Sequence, residues 1–312
     1  ESEEPPDGNT IFAIGSLTKA LVTALLFDLA RDGSLSLDET VQSILPDETA
    51  FSKASKQITL HQLAHHISGL PRQPVNETMF VSLINYSFTG ENIYRHIDKE
   101  AVYDLLRAFE PDREDIDTYH YSNIGLALLG HLIEVKTGRP LPVLLDERLS
   151  RPLGLQDTAY VLDDRKFARL ATGHVGDGPY FVARNTPMEP WETDDIMKGA
   201  AGLYSTADDL LKFAEYRLGV SNDSIVRRPV RSGPFGAGEL QFEQVSLGWN
   251  VDEFDDGDTR LIYKHGMIAG YSAYMGIEKK SRVSVIVLYN NFDWDDRVGH
   301  GVLLALARNY KN

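Results

Sequence analysis

The sequence predicts an α+β fold: an antiparallel β-sheet flanked by helices, with an inserted, mostly helical region. Three observations carry this expectation. An almost unbroken apolar run follows Gly15 and ends at Asp32-Gly33. β-rich segments bounded by turn residues crowd into 246–291. An amphipathic stretch, "RVGHGVLLALARNY", closes the chain.

Each element has its own signal. Residues 16–31 read as a helix that Gly33 stops, and "ITLHQLAHHISGLP" (58–71) as a second that ends at Gly69 and Pro71. Residues 72–118 are polar and aromatic and show no strand pattern. "NIGLALLGHLIEVKTGRP" reads as a helix from Asn123 to about Lys136, with Gly138 past its end and Pro140 beyond. Ser122 and Asn123 are both candidates for its N-cap. "LPVLLDERLSRPLGL" is another helix, and "STADDLLKFAEYRLG" a further one capped by Ser205 or Thr206. Strands are expected at 246–254, 260–266, 271–280 and 282–291, with "DDGD" (255–258) as a hairpin turn. The expected sheet is covered by the first and last of these helices.

Composition narrows the function. The chain has 312 residues and a net charge of −15, so it lacks the basic footprint of a nucleic-acid binder. It has no cysteine, which excludes disulfides, thiolate catalysis and cysteine metal sites. No apolar run is long enough for a transmembrane helix, and the first residues do not read as a signal peptide. Three glycosylation sequons start at Asn76, Asn85 and Asn222 and carry little weight.

The chemistry concentrates in three short motifs. Ser16 and Lys19 stand at i and i+3, which share a helix face. A serine needs a neighbouring base to become a nucleophile, and a desolvated lysine loses part of its preference for the charged state. The same pair also fits a serine N-cap beside a snorkelling lysine. The second motif, Tyr121-Ser122-Asn123, sets a phenol and a carboxamide two residues apart just before a buried helix. For the third there are two candidates. Lys136-Thr137-Gly138 lies at a helix end, where the dipole and an αL cap fully explain it. Lys264-His265-Gly266 lies in β-rich sequence, where a strand edge can present a lysine to a substrate, and is the one chosen.

Taken in order, S-x-x-K, Y-S-N and K-x-G resemble the serine β-lactamases and penicillin-binding proteins, and the tyrosine points to the class C β-lactamase branch. The segments "ITLHQLAHHISGLP", "GAAGLYSTADDLLKF" and "GYSAYMGI" match that branch in style, and the likeness runs from Ile11 to about Asn290. The resemblance implies a sheet domain from 1–60 plus 195–312, a mostly helical domain from 61–194, and an active site in the cleft between them. It implies Ser16 as the acylated nucleophile, Lys19 and Tyr121 sharing the general-base work, and Asn123 hydrogen-bonding the substrate's side-chain amide. Lys264 would lower the tyrosine pKa and attract a substrate carboxylate. His265 and Gly266 would complete the substrate site, and the backbone N–H groups of Ser16 and Met267 would form the oxyanion hole. No metal or organic cofactor is implied. The partner is a small-molecule or peptide substrate, and the location is extracytoplasmic.

Three departures stand against the pattern. His265 occupies a position where the family carries threonine or serine. Only 15 residues precede Ser16, where the family has N-terminal strands, so the chain is trimmed or the sheet is built differently. The segment 72–118 is long for this place and is expected to form a lid or reshape the cleft. The expected activity is acyl-enzyme hydrolysis of β-lactams or D-alanyl-D-alanine-type peptides. The alternatives are an esterase or acyltransferase, and a non-catalytic binding protein of the same fold. His61 and His65 stand at i and i+4 as in zinc helices, but Gln62 takes the place of the catalytic glutamate, so cap and core roles are expected for His61, His65 and His66.

Overall fold

The computed structural model describes residues 5–48, 50–112, 115–193, 195–219, 226–231, 240–246, 248–254, 259–293 and 297–310. The expected turn at Asp255–Asp258 and the Asn222 sequon lie outside them. The helices are α1 (Thr18–Arg31), α2 (Val41–Ile44), α3 (Lys53–Gln57), α4 (Leu60–Ala64), α5 (Glu77–Thr89), α6 (Lys99–Ala108), α7 (Asn123–Thr137), α8 (Leu141–Leu145), α9 (Arg151–Leu153), α10 (Asp164–Phe167), α11 (Ala207–Gly219) and α12 (Arg297–Asn309). Short strands β1 (Phe12–Ala13), β2 (Gly173–His174), β3 (Pro187–Met188) and β4 (Tyr204–Ser205) form the pairs β1–β4 and β2–β3. The main sheet is built from β5 (Val226–Arg231), β6 (Leu240–Ser246), β7 (Trp249–Glu253), β8 (Arg260–Ile268), β9 (Tyr271–Glu278) and β10 (Val283–Tyr289). It is an antiparallel meander in the order β10-β9-β8-β7-β6-β5, so all six strands come from downstream of the helical region.

The two faces of β8 are sorted by the strand period of two. Ile262, Lys264 and Gly266 pair with Ile277, Met275 and Ala273 of β9, and the apolar members of this set belong to the main core. On the opposite face Leu261 packs with Val285, Leu303 and Ala307, so α12 covers the sheet from outside. The last helix thus covers the sheet as expected. The first does not do so alone: α11 packs on β9 and β10, while α1 lies among α7, α8 and the segment 195–199. Leu17, Leu21, Leu25 and Leu26 are buried completely, and the same buried cluster holds Leu126 and Leu129 from α7 together with Ile262 from β8. One core therefore draws residues from both of the expected parts. Each buried leucine contributes about 1.5–3 kcal/mol, which offsets the cost of holding Lys19 inside α1.

One reading needs correction. The stretch 58–71 is helical only over Leu60–Ala64. Thr59 and Gln62 form a capping box at its start, and His66 adopts φ 58° soon after its end, a left-handed conformation that stops the helix. The stretch 72–118 holds two helices, α5 and α6, capped by Asn76 and Asp98. In α7 the N-cap is Ser122, whose hydroxyl accepts from Gly125 N, and Gly138 ends the helix at φ 68°.

Candidate active site

Ser16 sits in a 3-10 turn, Gly15–Leu17, just ahead of α1. The chain reaches this turn through β1, and Ile14 N donates to Leu203 O at 3.0 Å, which anchors the turn to the segment before β4. From the first turn of α1, Lys19 reaches back across the shared face and donates to Ser16 Oγ at 2.9 Å. Its second bond goes to the carbonyl of Ala200 at 2.7 Å. Lys19 is buried, at 1% exposure. Burial, with a smaller contribution from the positive charge of Arg72, holds its amine well below the usual lysine range.

Tyr121 comes from the other side, 105 residues away, and its hydroxyl donates to Ser16 Oγ at 2.8 Å. Its position is built by its neighbours. Ser122 caps α7, donates through its hydroxyl to Pro71 O at 2.7 Å, and donates through its backbone N–H to His66 Nδ1 at 3.1 Å. The His66 ring lies 4.6 Å from the Tyr121 ring, and His120 N donates to His66 O at 2.7 Å. His66 is thus a positioning residue for Tyr121. His65 Nδ1 lies 2.9 Å from His61 O, a local cap contact.

Asn123 is the first residue of α7, and its Nδ2 donates to Tyr94 OH at 2.9 Å. Burial pushes the Tyr94 phenol up to about 12. Tyr94 in turn meets Trp191, whose indole donates to Gly90 O at 3.2 Å, and Trp191 meets Tyr86. An aromatic wall therefore runs outward from Asn123.

The third wall is β8. Lys264 is buried at 3% exposure, and its ammonium lies 5.1 Å from the Tyr121 ring centroid, as does that of Lys19. The last turn of the wall fixes the backbone. Ala269 and Gly270 form a two-residue hairpin loop with φ 37° and 84°, the geometry of a type I′ turn. Ile268 and Tyr271 close that loop as a pair. Antiparallel pairs alternate, so Met267 and Ser272 form a non-hydrogen-bonded pair and the Met267 N–H points off the sheet edge. It points at the Ser16 turn: a Cβ built on Gly15 would sit 2.7 Å from both Met267 N and Met267 O. Gly15 takes φ 48°, and a Cβ on Gly266 would lie 1.9 Å from Ile14 O. Only glycines allow this approach of strand and turn.

The structure therefore brings Ser16, Lys19, Tyr121 and Lys264 together, with Asn123 beside them and the Met267 amide against the Ser16 turn. It separates His265 from Lys264. The His265 ring meets Tyr263 at 5.2 Å and Tyr274 at 5.6 Å, on the face that α12 covers. The expectation that its side chain joins Lys264 on the substrate face is corrected by the strand period: adjacent residues of one strand face opposite ways. Sequence reasoning missed Arg72 and the Ala200 carbonyl, and gave His66 only a cap or core role. Arg72 had a weak signal, an arginine directly after the Gly69-Leu70-Pro71 stop with no acid at helical spacing. Among the described residues no group of three or more His, Asp or Glu is placed to hold a metal, and no helix is long and apolar enough to cross a membrane.

Comparison with known proteins bears on the family and the fold. The Beta-lactamase family model matches residues 1–309. "Protein flp" of Staphylococcus aureus (strain MRSA252) is 23% identical over 287 residues, which is 90% of this chain and 53% of that protein. "Penicillin-binding protein 4" of Amycolatopsis lactamdurans is 28% identical over 222 residues, 69% of this chain and 53% of that protein. The chain thus spans about half the length of these relatives. The crystal structure of a beta-lactamase/D-alanine carboxypeptidase from Yersinia pestis superposes with a TM-score of 0.73 at 20% identity, covering 99% of this chain and 87% of that one. Class C beta-lactamases share the fold as well.

Proposed function

Because the chain belongs to the beta-lactamase family, we propose that it is a serine acyl-enzyme hydrolase acting on β-lactams or on D-alanyl-D-alanine-type peptides. The observation that carries this reading is the pair of contacts on one oxygen: Lys19 Nζ and Tyr121 OH both lie within 3 Å of Ser16 Oγ. Two donors cannot activate a hydroxyl, so one of them must turn acceptor. Desolvation selects Lys19, whose free amine keeps one hydrogen on Ala200 O and turns its lone pair to the serine proton.

The reaction follows from that arrangement. Ser16 Oγ attacks the acyl carbonyl while its proton passes to Lys19. The carbonyl oxygen gains a negative charge facing the backbone N–H groups of Ser16 and Met267. As the C–N or C–O bond breaks, the proton is relayed through Tyr121 to the leaving atom, and the acyl group stays on Ser16. Water then attacks that ester, gives its proton to the same base, and releases the acid with Ser16 restored. Lys264, whose ammonium lies 5.1 Å from the centre of the Tyr121 ring, stabilises negative charge that builds on the phenol oxygen during the relay. Asn123 offers its remaining carboxamide groups to the amide of an acyl side chain. The reading needs no metal or organic cofactor. An extracytoplasmic place of action goes with it, as does the sheet-and-helix cleft as the site of binding.

A second reading keeps the nucleophile and changes the donor to small-molecule esters, as hydrolysis or acyl transfer. His265 favours it, because an imidazole stacked among Tyr263 and Tyr274 replaces the hydroxyl that the motif resemblance assigns to a substrate carboxylate. Steady-state turnover of nitrocefin, a D-alanyl-D-alanine peptide and a p-nitrophenyl ester by the same preparation separates these readings. Hydrolysis of nitrocefin or release of D-alanine, lost in Ser16→Ala, supports the first. Ester turnover alone moves the assignment to the second. No turnover of any of the three overturns both.

A further inference from the structure

Many arginines of this chain are held by carboxylates: Arg31 by Asp28, Arg148 by Asp28 and Asp32, Arg169 by Asp157. With 46 acidic against 31 basic residues, that is the expected state of a surface arginine. Arg72, like Arg165, Arg282 and Arg308, has no such partner among the described residues, but it stands at the cleft. It is exposed, and among the described residues no carboxylate pairs with it and its side chain donates no hydrogen bond. Its guanidinium instead lies 5.5 Å from the centroid of the Tyr121 ring, at the cleft.

Its backbone fixes which wall it belongs to. Asn123 N donates to Arg72 O at 3.0 Å, so Arg72 stands directly beside Asn123 on the helical wall. Two cationic side chains, Arg72 and Lys264, lie against the one phenol ring, with the Lys19 amine beside them. Like charges gathered at one place repel, and Arg72 already disfavours the charged form of Lys19. An arriving anion relieves that repulsion, and a guanidinium fork with all its donors unused matches a carboxylate.

We propose that Arg72 is a specificity-determining residue that selects acyl donors whose acyl side chain carries a carboxylate, received on the helical wall next to Asn123. This rests on the acyl-enzyme reading above and on Asn123 facing the acyl side chain. It is distinct from a carboxylate on the leaving-group side, attracted by Lys264.

The test compares two donors of equal length and leaving group, p-nitrophenyl hydrogen glutarate and p-nitrophenyl valerate, with the rate of Ser16→Ala subtracted for each. The ratio of the two kcat/KM values is the readout, because any effect of Arg72 on Tyr121 or Lys19 acts on both esters and cancels. In the wild type the ratio favours the glutarate, and Arg72→Gln lowers it by at least about tenfold, the worth of one charge-assisted contact. Arg72→Lys restores part of the ratio, and Arg72→Glu inverts it. A wild-type ratio near one, or one unchanged in Arg72→Gln while valerate is hydrolysed, overturns the proposal and leaves the acyl-enzyme reading standing. If neither ester is hydrolysed and no acylating probe labels Ser16, the acyl-enzyme reading fails and takes the proposal with it.

Discussion

Replacing Lys19 with methionine should change how stability depends on pH, and the change reports the charge state of the proposed base. The two side chains are similar in length, and the site is closed to water at 1% exposure. In the folded chain burial holds the amine well below the usual 10.5, whereas the unfolded chain restores the ordinary value. Between those two values the unfolded state binds one proton more than the folded state. Stability therefore rises with pH across that window, by up to about 1.4 kcal/mol per pH unit, and Lys19→Met lacks this contribution. The sign is the reverse of a salt-bridged lysine: the contribution is complete above the unfolded value and is lost as pH falls toward the folded one. Urea unfolding of both proteins, followed by tryptophan fluorescence from about pH 7 to about pH 9, gives the difference directly. The account expects wild-type stability to gain on the mutant as pH rises over that range, with a slope of up to about 1.4 kcal/mol per pH unit where the folded amine is free. The constant offset between the proteins, which includes the unpaired Ala200 carbonyl, does not matter; only the slope does. Equal slopes would mean that Lys19 stays an ammonium in the fold, and would refute its role as the base.

Further outcomes follow from the same geometry. Tyr121→Phe removes one of the two partners of Ser16 Oγ and should lower kcat by about 10²- to 10⁴-fold with a smaller change in KM, measured on the best ester or β-lactam. Gly266→Ala drives a Cβ into Ile14 O and should push β8 off the Ser16 turn, costing about 1–3 kcal/mol in urea unfolding and most of the activity. Ser122→Ala strips the cap of α7 and the bond to Pro71 O; thermal unfolding should show a loss of about 1–3 kcal/mol, and kcat should fall as Tyr121 loses its register.

Much of the fold was legible because its elements are periodic. The stops at Gly33 and Gly138, the β-rich segments of β7 to β10 set off by turn residues and the amphipathic last helix come from local rules, and each appears where its signal lies. Ser16 and Lys19 were legible for the same reason, since i and i+3 share a face whatever surrounds them. The helix α5 was hidden: Phe80, Val81, Ile84 and Phe88 are exposed, so its apolar residues trace no buried stripe, although Asn76 and Gly90 mark its ends. The stretch 58–71 failed in the opposite way, because an apolar pattern continues past the point where His66 turns left-handed. Tyr94, Arg72 and Ala200 reach the site through contacts between distant segments, and no spacing encodes those. The placement of His265 shows the limit of a motif. A triplet read as a unit on one strand sends its middle side chain to the other face.

The claim on which the rest depends is that Ser16 is the nucleophile. Intact-protein mass measured at short intervals after adding benzylpenicillin, and separately an active ester, tests it directly, with peptide mapping of any adduct and Ser16→Ala in parallel. The account predicts one added acyl group, mapped to Ser16 and absent from the mutant, either persistent or decaying at the rate of turnover. An adduct on another residue, or substrate turnover that survives in Ser16→Ala, would contradict it.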